Sequence, residues 1–177
     1  MPIVAKTLKN AGLPGSFNLF IETGYYTGRG VTAAIVAGFK KIYSIEIDYA
    51  LARNGQRKYR NRNNINIIHA SSPQGLAEIS DIYRNEPCVF WLDAHEMRGE
   101  TDTCPLLKEL AVIGGVISEG GTDKHVVLID DRRIFKTDSW FPVTEELIMK
   151  SLTSIFSRHT IRYLPGFIPD DIIAAFP

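Results

Sequence analysis

Short apolar runs that alternate with helical segments constrain the fold of this chain more than any other feature of its sequence. Five apolar runs have the length and composition of strands, and a segment with helical periodicity follows each of them. The runs are 17–22, 42–47, 65–69, 88–93 and 125–130, and the helical segments are 31–39, 49–60, a helix from about 73, 105–117 and 144–156. Such alternation is typical of a parallel sheet with helices on both faces.

The C-terminal part of the chain breaks this alternation. Residues 160–164 and 172–176 have strand character, and the segment 165–171 between them is rich in proline and glycine and too short for a helix. We therefore predict an α/β fold with a doubly wound, seven-stranded, mostly parallel sheet and an antiparallel C-terminal strand. At about 150 residues per domain, the 177 residues form a single domain, 1–177.

Charge is balanced overall but not along the chain. Twenty Lys and Arg match twenty Asp and Glu, so net charge gives no reason to expect a nucleic-acid or anionic-membrane partner. Residues 1–92 nevertheless hold 11 basic against 6 acidic side chains, and residues 93–177 hold 9 against 14. The basic surplus centres on Arg53, Arg57, Lys58, Arg60 and Arg62, which we interpret as a solvated helix face.

Neither a membrane segment nor a disulfide framework is expected. No apolar run approaches the roughly 18 residues of a transmembrane helix. The N-terminus lacks the apolar core of a secretory signal, and two cysteines are too few for a disulfide scaffold. We expect a cytoplasmic protein.

Polar residues stand where the predicted strands end, and ligands of such sheets bind beyond the carboxyl ends of the strands. These residues are Glu22, Glu46, Ser71, Asp93 and Asp130. After the first strand come Gly24, Gly28 and Gly30, which permit a tight turn but do not have the Gly-x-Gly-x-x-Gly spacing of dinucleotide-binding turns. Glu46 could accept hydrogen bonds from a ribose diol. Its alternative role is to stabilise the start of the next helix.

The glycine turn and the second strand together resemble class I S-adenosylmethionine-dependent methyltransferases. Glu22-x-Gly24-x-x-x-Gly28 is similar to their first motif, residues 43–48 to their second, and the terminal hairpin to their reversed seventh strand. The resemblance covers roughly residues 16–177 and implies a Rossmann-like fold, S-adenosylmethionine as cofactor and methyltransferase activity. The cofactor contacts that it implies are Glu22, Gly24, Tyr25, Gly28, Glu46, Ile47, Ser71, Ser72 and Asp93.

Three of these residues have an equally plain structural alternative. Tyr25 could pack in the core instead of lining the methionine end of the cofactor. Ser71 and Ser72 could cap the helix that starts at Pro73 instead of contacting adenine.

Within the class, residues 90–95 and 128–131 resemble the metal-dependent O-methyltransferases of the catechol and macrocin sugar types. That resemblance implies Mg²⁺, or Mn²⁺, held by Asp93, Asp130 and Asp131. The chemistry of these three aspartates also favours a cation site. Mg²⁺ prefers carboxylate oxygens, and a cation relieves repulsion among like charges at one sheet edge. The alternative is that Asp130 and Asp131 cap the following turn or pair with Arg132 and Arg133.

His95 is the predicted catalytic residue. As a neutral imidazole it could take the proton of an acceptor hydroxyl or serve as an extra metal ligand; a loop histidine without a chemical role is the alternative. Catechol-type enzymes have a lysine base where this chain has Glu96, which leaves the acceptor type open. Residues 94–104 and 131–143, with Trp140, or a second subunit of a homo-oligomer, would complete the acceptor pocket.

The function predicted from the sequence is methylation of a small hydroxylated acceptor, sugar or phenol-like, assisted by a divalent cation. Two other functions remain. One is a catalytically inactive cofactor-binding protein with the same fold. The other, a nucleotide-dependent oxidoreductase or epimerase, is disfavoured by the glycine spacing and the terminal hairpin.

Overall fold

A single sheet of seven strands organises the computed structural model, which describes residues 3–95, 104–136 and 143–177. The strands are β1 (Leu19–Thr23), β2 (Lys41–Glu46), β3 (Ile65–His69), β4 (Cys88–Leu92), β5 (Val126–Ile129), β6 (Thr160–Leu164) and β7 (Ile172–Phe176). Their order is β3-β2-β1-β4-β5-β7-β6. Strands β1 to β5 pair in parallel, and β7 runs antiparallel to both β5 and β6. The predicted fold class is confirmed.

Helices cover both faces of this sheet. They are α1 (Ile3–Asn10), α2 (Arg29–Ala37), α3 (Tyr49–Tyr59), α4 (Ser72–Glu78), α5 (Ser80–Tyr83), α6 (Leu106–Ser118) and α7 (Glu145–Ile155), and a 3₁₀ turn spans Arg132–Lys136. Helix α1 was not predicted from the sequence. Its buried residues Val4 and Leu8 are one helical turn apart and belong to the core on the side of α2.

The core is divided by the sheet into two layers. Along β1, Leu19 and Ile21 point to the layer beneath α4 to α7, whereas Phe20 points to the layer beneath α1 to α3. Every residue of β1, β4 and β5 is buried, which is why these strands read as continuous apolar runs.

The turns at the carboxyl edge of the sheet are fixed by hydrogen bonds from the chain itself. The Asp48 side chain accepts a hydrogen bond from the Leu51 N–H and caps α3 at 2.8 Å, and Thr144 caps α7 in the same way. Within the described residues, no helix is both long and apolar enough to cross a membrane.

Candidate functional site

The turn after β1 requires a glycine. Gly24 has a φ of +85°, and a Cβ on it would overlap the carbonyl oxygen of Asp93. Its N–H donates to the Ile45 carbonyl at 2.9 Å. Gly24 therefore lies between the ends of β2 and β4, at the switch point of the sheet, and the backbone that approaches it closely belongs to Asp93.

Tyr25 packs in the core. Its side chain is 5% exposed, and its ring lies against Gly28 and Gly55, where a Cβ would overlap it. Burial raises the pKa of the Tyr25 hydroxyl to about 12. The structure favours the packing alternative for Tyr25, and Gly28 makes room for this ring.

Glu22 lies beneath the glycine turn. It is 2% exposed, accepts a hydrogen bond from Ser44 Oγ at 2.5 Å, and lies against Gly30, where a side chain would overlap its carboxyl group. Burial, with smaller contributions from Asp93 and Glu46, raises the pKa of Glu22 to about 8. The acid is therefore mostly protonated at neutral pH and supports the turn from below.

The Glu46 side chain connects the turn after β1 to the turn after β2 by hydrogen bonds. Its Oε2 accepts from the Tyr26 N–H at 2.8 Å and its Oε1 from the Asp48 N–H at 2.9 Å. Glu46 is 7% exposed, and each of its carboxylate oxygens can accept a further hydrogen bond. Three large apolar side chains near Glu46 are exposed. Tyr26 donates its N–H to Glu46, and Ile47 and Tyr49 follow Glu46 in the chain.

The two serines after β3 differ. Ser71 is the N-cap residue of α4, but its side chain makes no capping hydrogen bond. Ser72 is 6% exposed and lies beside Glu109, an acid that the sequence analysis missed. Glu109 is 1% exposed, and burial raises its pKa, partly offset by the hydroxyls of Ser72 and Thr23. In the described part of the chain, Ser72 Oγ and Glu109 Oε1 have no partner in hydrogen-bonding geometry.

A sequence signal for Glu109 existed. It stands between Leu106 and Leu110 on the inner side of α6, where Ile113 also points to the core. An acid among such positions is rarely without a specific environment.

Asp93, His95 and Asp131 converge at the ends of β4 and β5. His95 Nε2 lies 3.2 Å from Asp131 Oδ2 and 3.8 Å from Asp93 Oδ1, and the imidazole meets Phe135 edge-on. Burial alone would lower the pKa of His95, but the hydrogen bond to Asp131 and the charge of Asp93 outweigh it and raise the pKa. Ligand atoms of the three residues lie within 4.8 Å of one another.

The three predicted metal ligands fall into two groups that share Asp131. Asp130 accepts from the Asp131 N–H at 2.8 Å and is grouped with Asp131 and Asp171, not with Asp93. Burial, then repulsion from Asp93 and Asp131, raises the pKa of Asp130 to about 7. Arg133 contacts Asp131 at 2.5 Å and pairs with Asp171. Asp171 is a second buried acid that the sequence analysis missed.

The two arginines after β5 have different partners. Arg133 neutralises Asp131 in part, as the alternative interpretation expected, whereas Arg132 pairs with Glu145 at 2.8 Å. Burial raises the pKa of Asp93 to about 6 although the charge of His95 opposes the shift. Two carboxylates and an imidazole are suitable ligands for a divalent cation, and Arg133 competes with that cation for Asp131.

Part of the predicted acceptor pocket lies outside the described residues. Glu96, Trp140 and most of the two loops expected to form its walls fall in 96–103 and 137–142.

Comparison with solved structures gives many matches at low sequence identity. A SAM-dependent methyltransferase from Archaeoglobus fulgidus is 10% identical, with a TM-score of 0.62 over 99% of this chain and 93% of that chain. A candidate caffeoyl-CoA O-methyltransferase from Staphylococcus aureus is 13% identical, with a TM-score of 0.59 over 99% of this chain and 81% of the other. Aeropyrum pernix fibrillarin, solved with bound S-adenosyl-L-methionine, is 17% identical, with a TM-score of 0.56 over 89% and 66%.

Sequence comparison adds no assignment. No protein-family model matches the chain, and no curated protein matches its sequence. The strand order, the reversed β7 and the structural matches together establish that this chain has the Rossmann-like fold of the class I methyltransferases.

Proposed function

We propose that this protein transfers the methyl group of S-adenosylmethionine to a hydroxyl group of a small acceptor. The observation that carries the proposal is the position of Glu46. It stands at the end of β2, and its carboxylate is hydrogen-bonded to the turn that begins at Gly24. In a sheet of this topology, that is where a ribose diol would meet an acidic residue.

The remaining residues at this edge fit a cationic cofactor. Glu22, Asp93 and Asp130 have pKa values raised to about 8, 6 and 7, because burial and mutual repulsion disfavour their charged forms. A sulfonium cation placed among them would relieve that repulsion. The exposed Ile47 and Tyr49 offer apolar surface beside Glu46 for an adenine ring.

His95 is suited to the role of general base. Its hydrogen bond to Asp131 orients the imidazole and stabilises the protonated form that appears after it takes a proton from the acceptor hydroxyl. Bound S-adenosylmethionine would supply the methyl carbon to which that oxygen bonds, with S-adenosylhomocysteine as the leaving group.

Asp93 and Asp131 are the residues that would hold a divalent cation, since Mg²⁺ is usually bound by one or two carboxylates together with water and substrate. When bound, the cation would lower the pKa of the acceptor hydroxyl and position it. The contact between Arg133 and Asp131 opposes this arrangement.

A cofactor-binding protein without catalytic activity is the second function with a specific observation in its favour. Asp131 forms an ion pair with Arg133 and a hydrogen bond with His95. The polar groups on the acceptor side of the site therefore already have partners within the protein. Methyl transfer from tritium-labelled cofactor to catechols or hydroxylated sugars separates the two functions.

The cation can be tested without knowing the acceptor. In the presence of S-adenosylhomocysteine, an ion at ten times its Kd stabilises the native state by about 1.4 kcal/mol, so millimolar Mg²⁺ should raise Tm by roughly 3–6 °C. Asp93→Asn should reduce that rise, whereas Asp81→Asn, which alters an exposed carboxyl, should leave it unchanged. A rise of equal size in the two variants would place the ion away from Asp93, and no rise in wild type would contradict a bound cation.

A further inference from the structure

Helix α3 and the edge strand β3 carry a basic surface that no neighbouring acid balances. Between Asp48 and Glu78 the sequence has no acidic residue. Five exposed cations lie in this stretch, here called the α3 basic face: Arg53, Arg57, Lys58, Arg60 and Arg62. Within residues 3–95, 104–136 and 143–177, none of the five has a carboxylate within ion-pair distance.

Three of these arginines form a stripe along the helix. Arg53, Arg57 and Arg60 follow the spacing i, i+4, i+7, so their side chains leave α3 on the same side. Like charges at this spacing destabilise a helix. The side chain between them, Gln56, is not an acid that would offset the repulsion. An external anion would offset it.

An open groove of about 360 Å³ adjoins the stripe, between the last turn of α3 and β3. Its walls include Tyr59, Arg60, Arg62, Asn63 and Asn66. Tyr59 is 8% exposed, and its hydroxyl has no hydrogen-bond partner in the described part of the chain. The volume lies at the lower end of the roughly 300–1,000 Å³ typical of small-ligand sites.

From these observations we propose that the α3 basic face binds single-stranded nucleic acid. The arginine stripe contacts successive phosphates, and the groove beside it accepts one unstacked nucleotide between Arg62, Asn63 and Asn66. The net charge of zero gives no reason to expect a nucleic-acid partner. The proposal rests instead on the local concentration of positive charge on the α3 basic face.

The polar character of the surface distinguishes nucleic acid from a lipid membrane. A helix that binds at a membrane surface exposes apolar side chains. In α3 the residues Ala52, Gly55 and Tyr59 are buried against the sheet, and the one large apolar side chain that α3 exposes is Tyr49 at its start. The exposed residues among the cations are asparagines, whose amides can bond to sugars and base edges: Asn54, Asn61, Asn63, Asn64 and Asn66.

The surface is separate from the proposed acceptor site, so the inference goes beyond methyl transfer. Strand β3 is three strands away from β4, or about 14 Å in the plane of the sheet. Helix α3 begins near Glu46 and leads away from the carboxyl edge. Loss of methyltransferase activity would leave this proposal standing, and the reverse is also true.

Fluorescence anisotropy with a labelled oligouridine of about 16 nucleotides tests the proposal, with salt varied from about 50 to 200 mM. The test variant is Arg53→Gln/Arg57→Gln/Arg60→Gln. The control is Lys6→Gln/Lys124→Gln/Lys150→Gln, which removes the same charge from exposed sites on other elements.

For wild type, the logarithm of the association constant should fall linearly with the logarithm of the salt concentration. Each lost phosphate contact lowers the slope by about 0.7, so the arginine variant should lose about 2 and bind roughly 100-fold more weakly at about 0.1 M salt. The lysine control should bind like wild type.

Four results would overturn the proposal. They are no binding by wild type at about 50 mM salt, an equal loss in the lysine control, equally tight binding of a duplex of the same length, and equally strong binding to phosphatidylserine vesicles. The arginine variant should melt at or above the wild-type temperature, since it removes repulsion from α3. A single Arg57→Gln variant, with a slope change of about 0.7, gives an independent reading of the same contact.

Discussion

Replacing Glu22 by glutamine should make the protein more stable, and increasingly so as pH rises. The Glu22 carboxyl is buried beneath the glycine turn with Ser44 as its partner, and its pKa is raised from 4.5 to about 8. The folded protein therefore binds this proton more tightly than the unfolded chain does. Between these two pKa values the folded state loses stability with rising pH. Glutamine has the shape of the protonated acid and does not titrate.

The size of the effect follows from the pKa shift. One pH unit across the window costs a single group about 1.4 kcal/mol of unfolding free energy. From pH 5 to pH 8, wild type should lose about 3 kcal/mol relative to Glu22→Gln. For a chain of this length that corresponds to roughly 6–12 °C in Tm. Other raised acids titrate in both proteins and cancel in the comparison.

Thermal melts and urea titrations at pH 5, 6, 7 and 8 measure this difference. Glu78→Gln, which neutralises an exposed carboxyl, is the matched control and should follow wild type. If the difference in unfolding free energy between Glu22→Gln and wild type stayed constant from pH 5 to pH 8, the reasoning would be refuted. Glu22 would then have the same pKa in the folded and unfolded states. A difference that narrows as pH rises would refute it too.

Two further substitutions test the turn that follows β1. Gly24→Ala should cost at least about 2 kcal/mol by thermal melt, because the new Cβ overlaps the Asp93 carbonyl at a positive φ, whereas Gly115→Ala in an open position of α6 should be neutral or stabilising. Equal melting of both alanine variants would contradict the strain. Tyr25→Phe should bind S-adenosylhomocysteine as wild type does, because its ring packs against Gly28; a large loss would return Tyr25 to the cofactor site.

The sheet could be predicted because its signals are local. Buried parallel strands are continuous apolar runs, and the seven-residue segment before β7 leaves room only for a hairpin. Helix α1 could not be predicted in this way. It is short, and its inner face is defined by its contact with α2 and not by its own sequence.

The sequence predicts those residues of the candidate site that stand at strand ends. It does not predict the residues that come from elements distant in the chain. Glu46, Asp93 and Asp131 follow directly from the position of each strand end. Glu109 reaches Ser72 and Thr23 from the inner side of α6, and Asp171 reaches Arg133 only because β7 pairs with β5. These contacts join segments far apart in the chain, which no local pattern records.

Similarly, the role of Tyr25 depends on residues outside its own turn. Gly55 in α3 leaves the space that the ring fills, thirty residues further along the chain. The sequence of the turn alone therefore leaves both roles of Tyr25 open, and the contact with Gly55 favours packing.

Calorimetric titration of S-adenosylhomocysteine into wild type and Glu46→Ala tests the central claim most directly, which is that a cofactor ribose binds between the Gly24 turn and the end of β2. Wild type should bind one equivalent and should not bind NAD. Glu46→Ala, still folded by thermal melt, should bind about tenfold or more weakly, since hydrogen bonds to a charged group contribute about 1.5–3 kcal/mol. Absence of S-adenosylhomocysteine binding by wild type, or unchanged affinity in Glu46→Ala, would contradict the account.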